Sequence, residues 1–308
     1  MDQRLIKLLN QGVYLGTSSW KYPGWKDLVY RAPYRSEKDF QSRCLEEYGT
    51  LYPTVGVDHT YYALPKPQQL LYYAQTTPEH FRFVFKAPVQ ITTPQFPHLP
   101  RYGKRAGTLN PLFLDPDFCL HEFIEPLKQL GDKAGPIVFE FSRFKPHMIA
   151  NGRMFLQKLG FFFEKLRQHS EHPFAVEIRN HNWLVPEYFS LLQKLKIAHT
   201  FNSWTYMPLL AEQQRLARGT SLPFFLLRLL LYPGKLYADA VKAFSPYSHL
   251  KKPLHDVRIH TVSLIEQAIS EKKQIFVLIN NRLEGCAPQT LTAVLDLLET
   301  KNQSLRED

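Results

Sequence analysis

Eight short β-rich runs alternate with helical patterns along almost the whole length of this chain, and few folds accept that order. The runs are "GVYLGTS" (12–18), "TVGVDHT" (54–60), "FRFVFKA" (81–87), "GPIVFEFS" (135–142), "FAVEIRN" (174–180), "IAHTFNS" (197–203), "FFLLRLLL" (224–231) and "QIFVLINN" (274–281). Most intervals, such as "NGRMFLQKLGFFFEKLRQH" and "HTVSLIEQAISEKK", carry apolar residues at i, i+3 and i+4. "DFCLHEFIEPLKQLG" and "PQTLTAVLDLLET" read the same way, and "SEKDFQSRCLEEYG" opens on Ser36 and Asp39 at capping-box spacing. Strand–helix alternation with about eight strands predicts a closed parallel (β/α)8 TIM barrel. An open doubly wound sheet is the alternative, although no GxGxxG or GxxxxGK[ST] turn follows the first strand. The expected organisation is one domain over 1–308, with a core at 12–300, a long loop at 88–116 after strand three, and a tail at 301–308.

Hydrophobic residues make up 44%, enough for a large core. Cys44, Cys119 and Cys286 are far apart and show no CxxC or Cys/His ligand spacing, so neither a disulfide framework nor a zinc site is expected. The start, "MDQRLIKLLNQG", does not read as a secretory signal. The longest apolar stretch, "LPFFLLRLLLYPG", is too short to span a bilayer and carries Arg228. The expectation is a soluble cytoplasmic protein with no membrane contact. A net charge of +10 and a pI near 9.4 favour an anionic partner: a phosphorylated metabolite, an acidic surface or nucleic acid. Lys and Arg are scattered, with mild clusters at 101–105 and 251–258 and no basic arm, so nucleic acid is the second choice.

Barrel geometry turns alternation into an inside and an outside. The face that packs on helices must be apolar, so Phe174, Val176 and Ile178 face out and Glu177 and Arg179 face in. The same test leaves Arg82, Val84 and Lys86 inside in strand three. It leaves Val138, Glu140 and Ser142 in strand four, Gly56, Asp58 and Thr60 in strand two, and Phe276, Leu278 and Asn280 in strand eight. "FFLLRLLL" is apolar on both faces, and only Arg228 marks one of them. Asp58, Lys86, Glu140, Glu177, Arg179 and Arg228 therefore fall inside, near the strands' carboxyl ends, where barrel enzymes hold their chemistry. Unpaired buried charge costs several kcal/mol, roughly, so the six are expected to pair with one another, to line a solvated mouth, or both. A salt-bridge lattice that only plugs the barrel is the bland alternative.

The ordered segments "GTSSWKYPGW" (16–25), "DHTYYALP" (58–65), "TPEHFRFVFKAPVQIT" (77–92), "FAVEIRNHNW" (174–183) and "FVLINNRLEGCAP" (276–288) resemble the YecE-like family, the domain of unknown function 72. The resemblance implies a TIM barrel and no established activity. It matches Gly16, Thr17 and Trp20 at the start, Thr60, Tyr61 and Tyr62 after strand two, and Lys86 after strand three. It also matches Glu177 with Arg179, and Asn280 with Asn281. The chain departs from the family pattern at Gly56 and Asp58, between 136 and 153, and after Arg228, where "LLLYPG" replaces a His-Gly pair.

Chemistry then assigns expected roles. Glu177, beside Arg179, suits an ionised base, and Glu140 or Asp58 a second carboxylate. Lys86 could anchor an anion, polarise a carbonyl or form a Schiff base. Arg179 and Arg228 suit an anionic substrate. Trp20, Trp25, Thr60, Tyr61, Tyr62, Trp204, Asn280 and Asn281 sit at or beyond strand ends and could contact a ligand. After strands seven and eight, "YPGK" and "NNRLEG" offer Gly234, Lys235, Arg282 and Gly285 for a phosphate. His59, Glu140, Glu177 and Asp58 could compose a metal set of the barrel-hydrolase or isomerase kind. His59 is expected to point away from Asp58, however, so no metal and no cofactor is expected. The long 88–116 loop suits a lid, a binding loop or a disordered segment. The expected function is an acid/base enzyme (a hydrolase, lyase or isomerase) for a small anionic substrate, phosphorylated or not. A non-catalytic nucleic-acid-binding protein is the competing class. Oligomeric state is not legible.

Overall fold

The computed structural model describes residues 1–307, without the side chains of 302 and 304–307. Eight parallel strands close in sequence order: β1 Val13–Thr17, β2 Thr54–Val57, β3 Arg82–Lys86, β4 Ala134–Phe141, β5 Phe174–Ile178, β6 Ala198–Ser203, β7 Phe225–Leu229 and β8 Ile275–Ile279. The β1–β8 pairing, Val13 on Ile275 through Thr17 on Ile279, completes the ring. The open-sheet alternative is excluded.

Alternation places the side chains as the binary pattern requires. Phe83, Phe85, Ile137, Phe139, Phe174, Val176, Ile178 and Val277 belong to the large core between strands and helices. A second, smaller core fills the barrel with Tyr14, Val84, Val138, Ala175, Ala198, Leu226, Phe276 and Leu278. Those interior residues are apolar; Arg82 stands at the amino end of β3 and turns its guanidinium to Glu79 O and Phe81 O, whereas the interacting charges lie toward the carboxyl ends. The outer helices form where apolar spacing and caps agree. Ser36 Oγ accepts from Asp39 N at 3.1 Å to start the helix Glu37–Leu51. Asn151 Oδ1 accepts from Met154 N at 3.0 Å to start Gly152–Arg167. The latter buries Phe155, Leu159, Phe162, Phe163 and Leu166 along one face, with Phe162 and Phe163 against Phe139 of β4.

The structure refines several segments. The segment around 117–131 is not a uniform helix: a π-helical stretch, Cys119–Ile124, precedes Pro126, and a 3₁₀ stretch, Lys128–Lys133, follows it. Proline has no N–H for the regular ladder and crowds the preceding turn, which a wider turn relieves. The last helix, Ala287–Glu307, runs through most of the supposed tail; Asp308 lies outside the described residues. The 88–116 segment is built, not structureless. Phe96 N donates to Thr108 O (3.0 Å) and Gly107 N to Phe96 O (2.9 Å), while Asn110 Nδ2 ties to Gln90 O and Thr93 O. Phe96, Tyr102 and Val89 then pack on Tyr61. Among the described residues, no helix is long and apolar enough to cross a membrane.

Candidate active site

Six charged side chains meet inside the carboxyl end of the barrel. Lys86 ends β3, Glu140 and Glu177 lie in register on β4 and β5, and Arg228 lies on β7. Arg179 stands one residue past β5. Asp58 opens a 3₁₀ turn after β2, so it lies beyond the strand that alternation extended to it. Glu140 Oε2 accepts from three cations: Lys86 Nζ at 2.7 Å, Arg179 Nη2 at 2.7 Å and Arg228 Nη1 at 3.1 Å. Glu177 Oε1 accepts from Arg179 Nε at 3.1 Å, and its Oε2 from Arg228 Nη1 at 2.5 Å. Arg228 Nη2 reaches Asp58 Oδ1 at 2.8 Å. Three acids and three bases thus neutralise one another.

Burial grades the cluster from floor to mouth. The side chains of Glu177, Arg228 and Glu140 are enclosed (0%, 3% and 3% exposed), whereas Asp58 reaches 35%. Lys86 and Arg179 lie between, and each rests on an aromatic ring. Lys86 Nζ is 3.9 Å from the Tyr61 centroid, and the Arg179 guanidinium is 3.7 Å from that of Trp204. Burial alone would push the Glu140 carboxyl up, but Arg179, Lys86 and Arg228 outweigh it and hold the group well below the usual carboxylate range. Burial likewise opposes the Arg228 charge, and Glu177, Asp58 and Glu140 more than restore it.

The remaining expected residues divide. Trp204 lines the site through Arg179. Trp20 is buried and meets His59 and Tyr73 edge-on. Thr60 Oγ1 donates to Val57 O and Lys86 O, so it secures the ends of β2 and β3. Tyr62 is exposed at the rim with Arg101 over its ring. Asn280 Oδ1 caps the turn at Arg282 N, and buried Asn281 Oδ1 accepts from Trp25 Nε1 and Ala287 N. Gly234 has φ +76° and open space around it, next to Lys235. Gly285 presses on another loop: a Cβ there would lie 2.9 Å from His249 O. His59 turns to Gln69 and Tyr73, away from the carboxylates. Among the described residues, no three His, Cys, Asp or Glu side chains gather to hold a metal ion.

Arg282 stands apart. Its Nε is buried without an acceptor, and its guanidinium lies 4.5 Å from the Tyr237 ring. Tyr22, which strand alternation could not single out because it lies in a turn beyond β1, packs on Trp25 and Tyr247 at this side of the mouth. Burial raises its phenol, Arg282 opposes that and Asp58 adds to it, so the hydroxyl feels both charges.

A family model described as "Protein of unknown function DUF72" matches residues 14–308. The chain belongs to the DUF72 family. Its relatives include the YunF protein of Bacillus subtilis, 23% identical over 305 residues, covering 95% of this chain and 97% of that one. The YecE protein of Escherichia coli K12 is 34% identical over 80 residues, 26% of this chain and 25% of its own. Among solved DUF72 structures, one from Enterococcus faecalis superposes with a TM-score of 0.61 at 18% identity, covering 93% of this chain and 95% of that one. One from Thermotoga maritima gives 0.58 at 20% identity, covering 93% and 99%. At such identities the likeness supports the barrel and nothing finer.

Proposed function

We propose that this DUF72 protein is an acid/base enzyme acting on a small anionic substrate at the carboxyl-end mouth of its barrel. The observation that carries the reading is where the charge lies. The segments joining each strand to its following outer helix (18–36, 58–66, 87–115, 142–151, 179–185, 204–209, 230–254 and 280–286) hold sixteen Lys and Arg against five Asp and Glu. The whole chain has 38 and 28, so the rest is nearly balanced at 22 and 23. A cleft rimmed with one sign of charge concentrates oppositely charged ligands.

Of the three bases, Lys86 and Arg179 are the ones an oxyanion entering past Asp58 would meet first, and both already crowd one oxygen of Glu140. Asp58 is the carboxylate placed to exchange a proton with substrate, because it is the most exposed of the three acids and, among the described residues, pairs with Arg228 alone. Glu177 and Glu140 then act by holding Arg228, Arg179 and Lys86 in place. Arg282, with Lys235 and Gly234, adds a second positive edge suited to a phosphate group. Titration calorimetry with inorganic phosphate tests the seat: saturable binding should be lost in Lys86→Met and kept in Lys104→Ala. Equal loss in both variants, or no saturable binding, refutes it.

Nucleic acid remains the second reading because the exposed Tyr62, Tyr206 and Tyr237 each lie beneath an arginine (Arg101 at 4.9 Å, Arg143 at 5.9 Å, Arg282 at 4.5 Å). Bases stack on such rings. Tight binding of a single-stranded oligonucleotide with a steep salt slope would favour it over the small-anion reading.

A further inference from the structure

Beside the charged cluster, a groove of about 890 Å³ opens between the segments that follow β4 and β5. It begins one residue beyond two members of the site. Arg143 follows Ser142, whose Oγ lies 3.5 Å from Glu140 Oε1, and Asn180 follows Arg179. Its lining is mixed: the apolar side chains Phe144, Ile149, Leu156, Trp183 and Val185 alternate with the amides of Asn151, Asn180 and Asn182. Its rim carries Arg143, Arg153 and His181 against a single carboxylate, Glu187.

The walls are held in place by contacts of their own. Asn180 Oδ1 accepts from Phe144 N at 2.8 Å and its Nδ2 donates to Phe144 O at 3.1 Å, tying the two segments together. Trp183 stacks on Phe155 with centroids 5.0 Å apart. Gly152 permits that position, since a Cβ there would come within 2.9 Å of Trp183 Cδ1. Ligand pockets commonly run from roughly 300 to 1,000 Å³. Walls already fixed leave little to order on binding.

We propose that this groove takes an apolar or aromatic arm of the substrate whose anionic end lies on Lys86 and Arg179. The substrate class is then an amphipathic anion, an aryl or branched-alkyl phosphate or carboxylate. The inference rests on the mouth being the anion site, as proposed above. Chain connection and charge select this occupant: Asn180 of the groove follows Arg179 of the cluster, and Arg143, Arg153 and His181 outnumber Glu187 in the groove's lining.

The test is calorimetric titration of the full chain with inorganic phosphate, 1-naphthyl phosphate and 1-naphthol. 1-Naphthyl phosphate should bind at least tenfold tighter than phosphate. Leu156→Arg, which fills the groove from a partly exposed helix position, should erase that advantage and leave phosphate binding unchanged. Lys86→Met should weaken both phosphates and spare 1-naphthol. Equal affinity for the two phosphates, an advantage untouched by both Leu156→Arg and Val185→Arg, or no binding of any probe overturns the proposal. Naphthyl binding that follows Leu156→Arg but ignores the phosphoryl group and Lys86→Met upholds the groove and overturns the anion reading of the mouth.

Discussion

Glu140 and Glu177 stand side by side in register on adjacent strands, both inside the barrel, and one guanidinium nitrogen bridges them: Arg228 Nη1 lies 3.1 Å from the first and 2.5 Å from the second. Two enclosed carboxylates at neighbouring positions repel, and neither can be solvated. Arg228 is therefore the residue that holds the two side by side, together with Arg179 and Lys86. Replacing it with methionine keeps the bulk and deletes the charge. Arg228→Met should lower unfolding free energy by about 3–5 kcal/mol, the usual cost of breaking a buried ion pair from one side. Denaturant unfolding reads it, and adding Glu177→Gln to the same chain should recover part of the loss. A stable single variant would mean that the carboxylates are solvated or protonated.

Acid should destabilise the protein in two stages. Burial lowers His199 to about 3 and His172 to about 4, so both are neutral in the fold and take protons only after unfolding. A group with a depressed folded pKa contributes fully above its unfolded value and loses that contribution as pH falls toward the folded one. The histidine stage thus begins near pH 6.5 and ends near 3–4. Glu140, held low by its cations, adds a second stage that begins only below the ordinary glutamate value. His199 has an unpartnered Nε2 among aromatic rings, with Nδ1 near the Tyr188 hydroxyl. His199→Phe should remove about 2–3 kcal/mol of the stability lost between pH 6.5 and 4.5. An unchanged slope of stability against pH over that interval would contradict the assignment.

The β5–β6 ladder ends early, after Ala175 on Ala198 and Val176 on His199. Gln213 substitutes for the missing strand partner: its Oε1 accepts from Asn202 N at 3.1 Å and its Nε2 donates to Asn202 O and Pro208 O, both at 2.7 Å. Gln213→Leu matches the bulk and strands these backbone groups. A loss of about 2–4 kcal/mol is expected from several unsatisfied buried groups, with faster amide hydrogen exchange at Asn202. Unaltered protection at Asn202 would show that the backbone finds other partners.

What could be read from the chain follows from which forces act locally. The outer faces of the strands must be apolar to pack on helices, so alternation placed Lys86, Glu140, Glu177 and Arg179 inside without any knowledge of their partners. It placed Asp58 inside as well, although β2 ends at Val57, because the turn keeps that carboxylate over the barrel. The pairing itself was not legible: Arg228 reaches Asp58 across 170 positions of sequence, and no periodicity encodes that reach. The side groove was equally hidden, since it depends on Asn180 tying the chain at Phe144 and on Gly152 admitting Trp183. Gly285 shows a related limit. Its positive φ of 115° serves close packing on the 249–251 chain, and a glycine in a loop looks the same in sequence whichever neighbour it approaches.

Glu177 and Asp58 finally separate holding a site from using one. Alternation singles out Glu177, yet it is fully enclosed and both its oxygens are engaged by arginines. Asp58 has a single cationic partner and faces the mouth. Glu177→Gln should therefore cost about 3 kcal/mol or more of stability, because it leaves Arg179 and Arg228 short of a charge in a buried setting. Asp58→Asn should cost about 1 kcal/mol or less, as expected for a partly exposed pair, while removing turnover of any substrate the mouth accepts. Thermal or denaturant unfolding of the two variants side by side gives the stability half without a known substrate. Once an anionic ligand that turns over has been found, its kcat in Asp58→Asn gives the other half. Full activity in Asp58→Asn would remove it as the proton-transfer group, and a stable, inactive Glu177→Gln would return that role to Glu177.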